Sequence, residues 1–97
     1  MNDSARTNSR LEQIRQAIDS SLNAEFLEVT DESHLHAGHA GARSGKGHFH
    51  VKIVARQFIG QSLIKRHRLV YAAVGDLMET DIHALGIEAF SPDEFAD

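Results

Sequence analysis

The chain has 97 residues, enough for one domain with one modest core. Its apolar fraction of 41% is ordinary for a globular protein and argues against disorder away from the ends. The net charge of −4 disfavours non-specific binding to polyanions, and the absence of cysteine excludes disulfides and thiol chemistry within the chain.

Any metal site must therefore use histidine, carboxylate, or ligands brought by a partner. The first residues, MNDSARTNSR, contain no apolar core segment and do not read as a signal peptide. No apolar run approaches membrane-spanning length, so a reducing, cytoplasmic setting is the expectation.

Residues 1–8 are polar and are expected to form a flexible tail, with the folded domain over 9–97. Ser9 has the character of an N-cap, with Glu12 three residues on. Leu11, Ile14, Ile18 and Leu22 follow at helical spacing and make one apolar stripe, and Asn23 is a plausible stop. Ala24–Asp31 is rich in strand formers and puts Leu27 and Val29 on one face.

The stretch that follows, up to Arg56, reads DESHLHAGHAGARSGKGHFHVKIVAR from Asp31 and holds five of the seven histidines. Its first part is a loop punctuated by Gly38, Gly41, Gly45 and Gly47. From His48 it alternates like a half-buried strand, with Phe49, Val51, Ile53 and Ala55 on one side. His48 and His50 fall on the other side, which predicts two solvent-facing rings. Two strands joined by one loop most simply pair antiparallel. The loop is longer than a hairpin needs, and long ordered loops are more often functional than short ones, with an idle histidine-rich insertion as the equal alternative on spacing alone.

Phe58-Ile59-Gly60 turns the chain, and Ser62 caps a long helix reaching about Met78. Leu63, Val70, Val74 and Leu77 are its expected buried stripe, with Gly75 allowing close packing and His67 at the core edge. Ala84–Phe90 is the third strand, with Leu85, Ile87 and Ala89 inward. A strand–helix–strand passage favours a crossover that leaves this strand parallel to the second. Ser91-Pro92-Asp93-Glu94 then starts a short helix anchored by Phe95. The expected fold class is α+β, in the order α-β-β-α-β-α, with a three-stranded mixed sheet and helices on one face.

His34, His36 and His39 have an H-x-H-x-x-H spacing, and imidazole is a good ligand for zinc, copper, nickel and iron. His83 stands just before the third strand. If that strand is parallel to the second, its start lies at the edge where the glycine loop arrives, so the fold brings His83 towards the loop histidines. Gly45-Lys46 lacks the residues and the following helix of a phosphate-binding loop, and no hydrolase triad is present. The chain is not expected to be an enzyme. Arg56, Lys65, Arg66 and Arg68 make a basic cluster that could touch phosphates or an acidic protein face.

Together, Asp31-Glu32-Ser33-His34, His48-Phe49-x-Val51, Phe58-x-Gly60, Arg66-His67-Arg68-x-Val70-Tyr71 and Ile82-His83-Ala84-Leu85 resemble the BolA-like family. The similarity runs from the first helix to Glu94, and RHRxVY followed by IHAL is its specific part. The family's fold is similar to a class II KH domain and has the element order derived above. The resemblance implies a monothiol glutaredoxin as partner and a [2Fe–2S] cluster shared with it and with glutathione. It also implies one histidine ligand before the last strand, which carries over to His83. A second ligand would come from the loop and falls on His36, with His34 and His39 close by. Histidine in place of thiolate on one iron raises a cluster's potential, which suits iron sensing or cluster transfer.

Some family members are described as regulators that bind DNA. A KH domain grips nucleic acid through a GXXG loop between helices, whereas Gly38-His39-Ala40-Gly41 lies between strands here. DNA binding through Arg56, Lys65, Arg66 and Arg68 therefore ranks second. A metal-buffering protein resting on the histidine loop ranks third. The free chain is expected to be a monomer or weak homodimer.

Overall fold

The computed structural model describes residues 3–33 and 47–95, with side chains from residue 10 onward in the first helix. Helix α1 spans Asp3–Leu22, strand β1 Phe26–Asp31 and strand β2 Gly47–Val54. A single 3-10 turn at Arg56–Phe58 leads to α2, Leu63–Val74. Then come α3, Leu77–Thr80, strand β3, Ile82–Phe90, and α4, Pro92–Phe95.

The helix of the first segment begins earlier than the expected cap at Ser9. No glycine or proline lies between Asp3 and Ser9, and Ala5 and Arg6 are good helix formers, so nothing local stops it there. Its far end agrees with expectation. Asn23 takes φ 51°, the left-handed conformation asparagine tolerates, and its N–H donates to Asp19 O at 3.0 Å. Ile14, Ile18 and Leu22 are buried and Leu11 packs beside them.

The sheet order is β1-β2-β3. β1 pairs antiparallel with β2, Leu27 facing Ile53 and Val29 facing Val51. β3 pairs parallel with β2, Ile87 facing Val51 and Ala89 facing Ile53. These odd-numbered positions form one face, on which Ile14, Ile18, Phe58, Val70 and Val74 complete the core. The terminal helix reaches the other face. Phe95 stacks on Phe26 with centroids 5.4 Å apart and tilts against Phe90 at 5.7 Å, beside buried Val54.

Ser62 caps α2 as expected, its Oγ accepting from Lys65 N at 3.2 Å. Two features of this helix differ from expectation. It does not run to Met78, because Gly75 adopts φ 55° and ends it after Val74, and α3 begins afresh. A Cβ at Gly75 would meet only Ala72 O at 3.8 Å, so glycine serves the turn and not close packing. Leu63 is also 66% exposed and leaves the buried stripe, its place taken one turn on by Arg66.

Candidate metal-ligand site at the histidine end of the sheet

The site is built where β3 begins beside the start of β2. Gly47 pairs with Ile82, but the next residue, His48, pairs with Ala84, so His83 is an extra residue in β3. Such a bulge re-aims side chains. Leu85 and Ala89 are buried and Ile87 packs beside them, and unbroken alternation back from these positions would bury His83 and expose Ile82. The bulge reverses both: Ile82 is 1% exposed in the core, and His83 is exposed. His83 therefore lies inside the strand and not before it, as the sequence had suggested.

Backbone contacts hold this corner. Gly47 N–H donates to Asp81 O at 2.9 Å, and Asp81 pairs with Arg10 of α1 at 3.4 Å. A Cβ on Gly47 would stand 2.6 Å from Phe49 Cε2 and 2.7 Å from Ser33 Oγ, so only glycine fits. Ser33 Oγ accepts from His48 N at 3.0 Å, and Ser33 N–H donates to Asp31 Oδ1 at 2.8 Å. Ser33 and Gly47, the described residues on either side of 34–46, are thus tied beside His83.

His48 is not the solvent-facing ring that alternation predicts. It is 9% exposed, and its ring lies against that of His83, centroids 5.0 Å apart and planes tilted by 55°. Alternation put His48 on the correct face, but the bulge brings a neighbour's imidazole onto it. Sequence reading missed this pair because nothing in the strand pattern announces a bulge. The signal available was Ile82, a large apolar residue one place before His83. His50 is half-buried, with Nε2 3.1 Å from Glu88 Oε2.

His34, His36 and His39 lie outside the described residues. Among those described, no group of three or more histidine, cysteine or acidic side chains comes together as a metal site. The chemistry of the donor set suits iron in one respect: imidazole nitrogen is a good iron ligand, and His83 offers one at the surface. With no cysteine in the chain, any thiolate ligand has to come from another molecule.

The basic cluster separates. Arg66 is not available to phosphates: it is 6% exposed, donates to Gln61 O and Ala89 O at 2.9 and 3.1 Å, and forks onto both Glu94 oxygens. Its partner Glu94 is pulled from 4.5 to about 2 by that hydrogen-bonded pair and by Ser91 N–H. Arg56 pairs with Glu25 at 2.8 Å on the surface. Lys65 and Arg68 remain exposed along a groove with Gln57, Gln61 and Leu69.

This combination of fold and residues has a close counterpart among known proteins, for the family model described as BolA-like protein matches residues 18–94. The chain belongs to the BolA-like family. It is 43% identical over 91 residues to SufE-like protein 1, chloroplastic/mitochondrial, of Arabidopsis thaliana, covering 89% of this chain and 24% of that one. Identity to Protein BOLA1, chloroplastic, of the same plant is 39%, covering 95% of this chain and 59% of the relative. The DNA-binding transcriptional regulator BolA of Escherichia coli is 36% identical over 84% of this chain and 79% of its own. The chain thus spans about a quarter and about three-fifths of the two plant relatives.

Among solved structures, the BolA domain of SufE1 from Arabidopsis thaliana superposes with a TM-score of 0.78 at 43% identity. That match covers 89% of this chain and 95% of the domain. The BolA-like assignment agrees with the α+β fold and its three-stranded mixed sheet. No helix among the described residues is long and apolar enough to cross a membrane.

Proposed function

We infer that this BolA-like chain is an adaptor, not a catalyst, that shares a [2Fe–2S] cluster with a monothiol glutaredoxin for cluster transfer or iron signalling. The observation that carries this reading is the bulge, which turns His83 out to solvent beside Ser33 and Gly47, the described residues on either side of 34–46. His83 is the ligand from the sheet, and His36, or else His39 or His34, is the ligand from the loop. The glutaredoxin and glutathione supply the thiolates this chain lacks. When bound, the cluster supplies a one-electron redox centre whose potential imidazole ligation raises.

The chain's own part is to present one imidazole on a rigid strand and a second from the loop. The setting we propose is cytoplasmic. The decisive experiment is anaerobic co-purification with a monothiol glutaredoxin, read by visible absorption. A cluster spectrum that differs from that of the glutaredoxin alone is expected, and glutaredoxin binding with an unaltered spectrum would count against the reading.

A DNA-binding regulator is the second reading, supported by the likeness to the DNA-binding transcriptional regulator BolA of Escherichia coli. It loses ground on this chain, because Arg66 is committed to Glu94 and Arg56 faces Glu25. Lys65 and Arg68 alone support weak, steeply salt-dependent binding. Retention of one promoter fragment at physiological salt without glutaredoxin would reverse the order.

A further inference from the structure

Building on the cluster-sharing reading, we propose that His48 is a positioning residue for His83: its buried ring is the surface against which the exposed imidazole is held. The bulge sets where the Cβ of His83 points but leaves its two side-chain torsions to packing. An exposed histidine with no neighbour would populate several rotamers, and a ligand nitrogen would then be in place only part of the time. A ring in contact removes that freedom.

His48 is suited to this by how firmly it is held. Its N–H donates to Ser33 Oγ at 3.0 Å, its carbonyl accepts from Glu32 N at 2.8 Å, and it is paired across the sheet to Ala84. The residue is 9% exposed, and its ring meets that of His83 at a centroid distance of 5.0 Å and a tilt of 55°, within the range of aromatic packing. His50, two residues along the same face, is engaged elsewhere. Its Nε2 lies 3.1 Å from Glu88 Oε2, and its ring lies over Gly86, where an added Cβ would stand 2.9 Å away. A fixed ring that orients a ligand is what outer-shell partners do for metal sites generally.

The test compares wild type with His48→Ala and His48→Phe in two arms. In the free protein, NMR couplings of His83 should report one dominant rotamer in wild type, several in His48→Ala, and one again in His48→Phe, where a flat ring remains. In the glutaredoxin complex, visible circular dichroism should report cluster retention about tenfold weaker in His48→Ala and close to wild type in His48→Phe. Thermal melts accompany both, and a folded His48→Phe keeps the comparison readable if the alanine variant does not fold.

A single His83 rotamer in folded His48→Ala would overturn the proposal. So would His48→Phe losing the cluster signature while His83 keeps its rotamer, since His48 would then itself be a ligand. The first arm needs no cluster. A wild-type complex without one would sink the functional reading while the couplings still decide the positioning.

Discussion

The two ends of the sheet treat their ionisable side chains in opposite ways. At one end Arg66 spends its donors inside the chain, on Gln61 O, Ala89 O and Glu94, and Glu94 also accepts from Ser91 N. At the other end the backbone is tied down as tightly, through Gly47, Ser33 and Asp81, yet the His83 ring is left at the surface. The first arrangement joins α2, β3 and α4. The second holds a scaffold still and leaves a donor free for something outside. Arg66, Ser33 and His83 all belong to the motifs that carry the family resemblance, so a motif residue marks a structural role as readily as a binding one.

His83→Ala should have the largest functional effect and almost no structural one. The mixed-ligand cluster spectrum of the glutaredoxin complex is expected to vanish in visible circular dichroism. Stability of the free protein should change by less than about 0.5 kcal/mol, as for other exposed positions. A large loss of stability would make His83 structural and erase the contrast. His36→Ala should only weaken or alter the spectrum, because His34 or His39 can replace it.

Arg66→Ala should do the reverse. It strips hydrogen bonds from two carbonyls near the core and should cost about 3 kcal/mol in urea unfolding. Cluster spectra of the folded fraction should be unchanged.

Gly47→Ala attacks the histidine end through its backbone. The new methyl must displace the Phe49 ring and Ser33 Oγ, and overpacking of this kind costs about 2 kcal/mol. Because the corner carries His83, this variant should also shift the amide resonances of Ile82, His83 and Ala84.

Glu94 gives a smaller effect, confined to acid. Its pKa falls from 4.5 to about 2 on folding, chiefly through the Arg66 hydrogen bond. The contribution is therefore present above about pH 4.5 and is lost as pH falls towards 2. Glu94→Gln should flatten the stability profile in that window and leave the neutral-pH spectrum of the complex intact. An unchanged acid limb would show that the Arg66–Glu94 pair does not help to join α2 to α4.

Much of this fold could be read locally. The stripe of Leu11, Ile14, Ile18 and Leu22, the stop at Asn23, the cap at Ser62 and the Ser91-Pro92 start each depend on residues within about one turn of each other. Strand alternation likewise placed Leu27, Phe49, Val51, Leu85 and Ala89 on the core face. Even the parallel third strand followed from chain order. These signals are short-range, and they survive in the sequence as periodicity and capping.

What the tertiary structure decided is where a local rule met a competing long-range demand. Alternation counted back from Leu85 points His83 inward, but the core takes Ile82 instead, and the sheet absorbs the mismatch as a bulge. That one slip exposes His83 and sets its ring against His48 from a strand more than thirty residues earlier. Arg66 is a similar case: a charged residue in a helical pattern reads as surface, and only Ala89 O and Glu94, brought by β3 and α4, make its burial favourable. Side-chain role at both ends depends on partners distant in sequence, and no window along the chain contains them.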